Sequence, residues 1–245
     1  MRQRTCTYYE NFFWRIRSMK NVLATLSALL LIVPVVLFAN TEELQTNKQF
    51  TIRGGKVTMK GGTRVSLYPN GAIKSGTLGD TFTYRLGSTG TLVFAPDKSM
   101  YFAQDGKVTG GYLHQPSTLR SRYGNFYVPK GGWVAFHDNG MFARIDLSGI
   151  QRLKGMPGNK SIAIKKFIIF SNGGTPQSVY LARDQKINGY TFQAGRDSVD
   201  FHSTGHVRQG TLAKNTTKRI GRLKLRKKTY QAGKSYTFDQ RGEIQ

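Results

Sequence analysis

Four histidines stand in the chain, at 114, 137, 202 and 206, and two of them, His202 and His206, straddle Gly205 at the spacing of a tight turn. Imidazoles so placed could share a metal ion, yet a protein metal centre takes three or four ligands and no third is evident. His137 and His202 fall at matching places beside a turn, which reads as exposed turn residues rather than ligands. Carboxylates are scarce, 13 Asp and Glu against 37 Lys and Arg. Asp197 and Asp200 lie together on the approach to a turn, a setting for solvation rather than for general acid and base work. The only cysteine, Cys6, leaves the rest of the chain without a disulfide framework or thiolate site. In GMPGNKS (155–161) the glycines are too close together for a phosphate loop. No catalytic residue, metal or cofactor is expected, and the chain reads as non-enzymatic.

The side chains with chemistry to offer are cations. Net charge is +24, and between Phe201 and Phe238 there are ten Lys or Arg and no Asp or Glu. Eight fall within KNTTKRIGRLKLRKK: Lys214, Lys218, Arg219, Arg222, Lys224, Arg226, Lys227 and Lys228. Against an anionic surface each contributes about 1 kcal/mol, screened beyond about 8 Å at physiological salt. Ile220, Leu223 and Leu225 alternate imperfectly with these charges, so the segment reads as an exposed edge strand or long loop. A basic edge strand also keeps a strand-rich protein from pairing with its neighbours. Anion binding and edge protection are therefore both open readings of the same residues.

The N-terminus bears on which anions are within reach. VLATLSALLLIVPVVLFA (22–39) is apolar, with Arg15, Arg17 and Lys20 before it and Glu42 and Glu43 after it. Positive before and acidic after directs the remainder of the chain across the membrane. The run is near the minimum for a spanning helix. It reads as a signal peptide from Met19, cut after Ala39 and preceded by an upstream extension, 1–18. The bulky Leu37 near the cut keeps an uncleaved single-pass anchor, and membrane association through 22–39, as the alternative. Without residues 1–39 the chain keeps 32 basic and 12 acidic residues.

The elements that must position these cations are announced by a repeat. A large apolar residue, three residues, then Gly recurs as Leu67 to Gly71, Phe102 to Gly106, Phe136 to Gly140, Phe170 to Gly174, Phe201 to Gly205 and Phe238 to Gly242. An internal period of ~34 residues decides architecture before any single motif does. Two residues past the Gly comes Ile73, Val108, Phe142, Pro176, Val207 or Ile244, and seven past it Leu78, Leu113, Leu147, Leu181 and Leu212. Pro-Asn-Gly at 69–71, Gln-Asp-Gly at 104–106 and Asp-Asn-Gly at 138–140 suit a type I turn closed by a left-handed glycine. Each unit reads as strand, tight turn, strand, polar loop, strand. A second glycine, Gly76, Gly111 or Gly210, marks a bulge or a close backbone approach.

The string from Tyr68 to Leu78, with its copy from His202 to Leu212, resembles bacterial exported hairpin-repeat proteins and, more distantly, MORN repeats. The likeness covers most of the chain after about Gly54. It implies an elongated all-β array of tandem antiparallel hairpins, residues 40–245, serving as a scaffold or binding surface, and it brings no catalytic residues. The alternative architecture is a six-bladed propeller-like ring, closed on its truncated last unit by a strand from 48–59. Function is expected to be that of an interaction surface at the cell envelope, with an anionic envelope polymer, an anionic lipid, a host glycan or a protein as partner. A hydrolase or lyase acting on an anionic envelope polymer is the alternative in another class. Nucleic acid would enter only for a cytoplasmic protein, because basic residues among aromatics suit phosphate and base stacking.

Overall fold

In all six frames the chain reverses through the same pair of backbone hydrogen bonds. Tyr68 N–H donates to the Ala72 carbonyl and Gly71 N–H to the Tyr68 carbonyl, and the pattern returns at Ala103, His137, Ser171, His202 and Asp239. Gly71, Gly106, Gly140, Gly174, Gly205 and Gly242 all hold φ between 72 and 83°. That is the left-handed region glycine enters without a Cβ penalty. The ladder slips one residue beside the turn, at Leu67, Phe102, Phe136, Phe170 and Phe201, so each reversal is a type I turn followed by a bulge.

A computed structural model describes residues 40–245 except 88–89, 159–160, 196 and 221–225. They belong to one compact unit, Ala39–Gln245. The extension and the apolar segment read as signal or anchor lie outside the described residues. All regular elements described are strands, 23 of them, joined antiparallel. First arms of the six hairpins are β4 (Arg64–Leu67), β8 (Ser99–Phe102), β12 (Trp133–Phe136), β15 (Ser161–Phe170), β19 (Ser198–Phe201) and β23 (Ser235–Thr237). Their second arms are β5 (Ile73–Thr77), β9 (Val108–Tyr112), β13 (Phe142–Asp146), β16 (Pro176–Leu181) and β20 (Val207–Thr211), the sixth being the short bridge of Ile244 to Phe238. With β1 (Asn40–Glu43) at one edge and β23 at the other, these arms make one open sheet. A ring of blades would break that ladder between blades, whereas here its hydrogen bonds run on from hairpin to hairpin.

What reads in the sequence as polar loop and strand is a second hairpin. These linking hairpins are β2 (Lys48–Ile52) with β3 (Gly55–Met59), β6 (Phe82–Arg85) with β7 (Thr91–Phe94), and β10 (Ser117–Ser121) with β11 (Gly124–Val128). The series goes on with β14 (Gln151–Lys154) against the start of β15, β17 (Gln185–Ile187) with β18 (Tyr190–Phe192), and β21 (Thr216–Ile220) with β22 (Arg226–Tyr230). Segment 48–59 is thus a linking hairpin of the first unit and does not close a ring on the last. In the fourth unit linking strand and first arm run on as the single strand β15, which absorbs the usual break at Lys166, φ 65°.

The core lies between each main hairpin and its linking hairpin. Leu78, Leu113, Leu147, Leu181 and Leu212 are all buried, as are Val65, Met100, Val134, Ile168 and Val199 on the first arms. The second glycine is explained by a close approach of side chains, not by a bulge. A Cβ on Gly76 would sit 2.8 Å from Val65 Cγ1, one on Gly111 2.7 Å from the Phe94 ring, and one on Gly210 2.7 Å from the Phe192 ring. The third and fourth units carry buried Ile145 and Val179 at that place.

The two kinds of glycine predict different tolerances in urea denaturation. Gly111→Ala loses about 1–3 kcal/mol from overpacking against Phe94, and Gly71→Ala about 1–2 kcal/mol from its left-handed backbone. Asn, which accepts positive φ, recovers most of the loss at 71 and none at 111.

Candidate functional site

Each linking hairpin presents one inner cross-strand pair to the core. In order these are Phe50 with Val57, Tyr84 with Leu92, Leu119 with Phe126, Leu153 with Ile162, and Ile187 with Tyr190. The sixth unit puts Lys218 opposite Lys228 at the same place. Two ammonium groups therefore stand where five units place buried or half-buried apolar side chains. Lys218 Nζ lies 4.4 Å from the Tyr190 ring centre and Lys228 Nζ 5.2 Å from that of Tyr230, so both are held over aromatic faces. Burial, reinforced by the Glu243 carboxylate, pushes the Tyr190 phenol up to about 12, which keeps it neutral beneath Lys218.

The remaining cations of the segment flank that pair. Arg219 pairs with Lys227 one step along the ladder, Arg226 opens β22, and Lys214 precedes β21. Arg226, Lys227 and Lys228 are exposed. Arg222 and Lys224 lie outside the described residues, between β21 and β22. The basic segment is thus a linking hairpin, not an edge strand of the main sheet. Like charges directly opposite one another oppose pairing, and the face they occupy owes its place in the fold to Tyr230, 5% exposed.

The covering rule of the array shows why this hairpin differs. In three of the other units the linking hairpin packs on the frame aromatic of the next unit: Tyr84 on Phe136 at 5.8 Å, Phe126 on Phe170 at 6.1 Å, Tyr190 on Phe238 at 5.0 Å between ring centres. Among the described residues no further frame follows the sixth unit, and its inner pair is cationic.

A second feature lies where β6–β7 and β10–β11 lean over the turns at Gly140 and Gly174. The groove there measures about 510 Å³, with Leu86, Met141 and Phe142 in its wall and Arg85, Arg120 and Arg122 along it. Met141 is 48% exposed. Arg122 donates to Thr175 Oγ1 at 3.0 Å and stacks on Tyr123. Nothing in the sequence signals this groove, because its arginines become neighbours only through the stacking of two linking hairpins.

Histidines and carboxylates serve the joints between units. His137 Nε2–H donates to the Phe170 carbonyl at 2.9 Å and His202 Nε2–H to the Phe238 carbonyl at 2.8 Å, while Tyr68 Oη–H reaches the Phe102 carbonyl at 2.9 Å. The two imidazoles, read as exposed from the sequence, are half-buried. Asp200 accepts from Ser178, Ser198 and Arg208, and Asp197 from Thr211. At the last turn the N–H groups of Glu243 and Arg241 hold the Asp239 carboxyl below the usual range. Met156 and Pro157 of the glycine-rich 155–161 stretch rest against Gly205.

Comparison with family models, with curated proteins and with solved structures found no match.

Replacing His137 or His202 by Phe strands a carbonyl at a joint and lowers stability by about 1–3 kcal/mol. The two joints share no contact, so the losses in urea midpoint add in the double variant to within about 0.5 kcal/mol.

Proposed function

We propose that this is an exported, non-enzymatic β-repeat protein that acts as an interaction surface at the cell envelope and binds anionic polymers or lipids through its last linking hairpin. The observation that carries the reading is the Lys218–Lys228 pair. An array that sets apolar pairs five times and then presents two ammonium groups at the same place has a surface made for negative charge. Arg219, Arg226 and Lys227 widen that surface, and the aromatic beds of Tyr190 and Tyr230 hold its lysines without neutralising them. The second array of cations, Arg85, Arg120 and Arg122, lies beside exposed apolar surface at Met141, a combination suited to an anion with an apolar body such as a lipid.

The N-terminal apolar run supports the location. Its flanking charges send residues 40–245 across the membrane, where envelope glycolipid, wall polymer, anionic phospholipid or host glycan is the available polyanion. The likeness to exported hairpin-repeat proteins and MORN repeats agrees with a scaffold role.

Two measurements test this. Mass spectrometry of the protein from cells is expected to find a chain beginning at Asn40. A chain retaining 1–39 points to the anchored form, and a soluble cytoplasmic one overturns the export reading. Binding to vesicles containing anionic lipid, and retention on heparin, fall by about tenfold or more when Lys224, Arg226, Lys227 and Lys228 are changed to Gln, at about 1 kcal/mol per cation near the surface. The effect shrinks as salt rises. Unchanged binding ends the proposal.

A further inference from the structure

The repeat has two exceptional ends, and the exceptions match. At the N-terminal end β1 pairs with β4, Glu42 opposite Val65, in the register by which β5 pairs with β8 and β9 with β12. Leu44 then exchanges backbone hydrogen bonds with Thr63 and Gly62, as Leu78 does with Lys98 and Asp97, Leu113 with Gly132 and Gly131, and Leu212 with Lys234 and Gly233. Asn40 to Leu44 is therefore a second arm ending in the recurring leucine, with no first arm beside it among the described residues. At the other edge of the described sheet, the second arm beside β23 is the Ile244 bridge to Phe238. Ile244 and Gln245 occupy the first two positions of that arm, matching Ile73 and Lys74. Thr41, Glu42, Glu43 and Leu44 match Ser75, Gly76, Thr77 and Leu78, so in repeat register Thr41 follows Gln245.

We infer that copies of this chain associate head to tail, β23 of one copy pairing antiparallel with β1 of a second along the edges that have no ladder partner among the described residues. The repeat register puts Thr237 opposite Thr41 and Tyr236 opposite Glu42, by analogy with Tyr101 opposite Gly110 and Met100 opposite Gly111. Three local features favour this occupant.

The first is charge. The inner second-arm position is Gly76, Gly111, Ile145, Val179 and Gly210 within the array but Glu42 at the N-terminal end. As Gly76, Gly111 and Gly210 meet Met59, Phe94 and Phe192, Glu42 would meet Tyr230 of the linking hairpin that carries Lys218 and Lys228 on the same face. Each is an anomaly in its own unit, and the pairing would bring opposite charges to one joint, the lysine pair standing two residues along the ladder from Tyr230. Within one copy Glu42 is held by Lys48 at 2.6 Å, both about half exposed, so the carboxylate is ordered and reachable.

The second feature is apolar. Frame residues Phe102, Phe136, Phe170, Phe201 and Phe238 are 2–6% exposed. Leu67 of the first unit, with no linking hairpin of a preceding unit over it among the described residues, is half-buried. The aliphatic stems of Lys218 and Lys228 would cover it where aromatic rings cover the others.

The third is a hydrogen-bond placeholder. Lys60, Ala95 and Gln193 each donate their N–H to the second-arm carbonyl of Thr77, Tyr112 or Thr211 at 2.8 Å. In the sixth unit the equivalent N–H, that of Gln231, donates to Tyr236 Oη at 2.9 Å. The Glu43 carbonyl of a second copy would supply the acceptor the array uses elsewhere.

Such a contact is heterologous: two different edges meet, and a dimer keeps one of each kind for further copies. Because every copy is strongly cationic, association is opposed at low salt and is strongest at or above physiological ionic strength, where screening acts beyond about 8 Å. That dependence is opposite in sign to polyanion binding by the same hairpin, so the two ideas fail separately.

The experiment uses the full-length chain with Cys6→Ser in a mild detergent, without polyanion. Sedimentation across a concentration series is expected to show reversible association that weakens about tenfold or more in Glu42→Lys and in Lys228→Glu. A mixture of the two variants, or the double variant, recovers to within about threefold, since opposite charges across a contact couple. Thr41→Cys and Thr237→Cys proteins, mixed and oxidised, form a disulfide-linked heterodimer, while each alone does not. Circular dichroism and urea midpoints establish that the variants fold. Monomer at all concentrations and salts, unimpaired association of both charge variants, or equal cross-linking of Thr41→Cys with itself overturns the inference. Monomer would mean that Tyr236 and the lysine pair close off the array.

Discussion

Everything in this molecule rests on one constraint: a two-stranded hairpin has an apolar face that it cannot cover by itself. Each unit meets it twice. The main hairpin turns Val, Met or Ile of its first arm and Leu of its second toward the linking hairpin, and the linking hairpin turns a cross-strand apolar pair toward the next frame aromatic. Burial passes from unit to unit, so stability is a sum of nearly equal joints rather than the property of a single centre. Small secondary interactions keep the joints in register. Alternate turns send Tyr68, His137 or His202 across to the carbonyl of the following frame residue.

The same constraint makes the ends of the array its most informative places. A unit with a neighbour buries apolar side chains at the joint, while one without a neighbour among the described residues carries something else there. The sixth linking hairpin carries lysines laid over tyrosines, and the first unit carries Glu42 and a frame Leu in place of Phe. Charge at these places keeps an open edge soluble and also selects what can approach it. The proposed polyanion binding and the inferred head-to-tail pairing would be two uses of that chemistry, and opposite responses to salt tell them apart.

The turns, the recurring leucines and the period were legible because each depends on short-range chemistry. A type I turn with a left-handed glycine is written in four consecutive residues, and a buried Leu seven positions later is fixed by strand alternation. The linking hairpins were not legible as hairpins, since their strands are short and their turns share no common motif. The fourth unit hides its break altogether in β15, where Lys166 takes a left-handed conformation that no sequence signal announces. Leu44 is equally silent in the sequence, because the arm it ends has no turn glycine before it to mark the frame.

Composition, repeat and turn chemistry were enough to establish an all-β chain of about six hairpin units with a strongly cationic last unit, because those features are local and add along the chain. They could not say that Lys218 and Lys228 face each other at the place where other units set apolar pairs, that Arg85, Arg120 and Arg122 share a groove, or that His137 and His202 bind backbone rather than solvent. Each of those facts depends on which strand lies beside which, and cross-strand register is set by the packing of units far apart in sequence. Only the assembled sheet brings such residues within reach of one another.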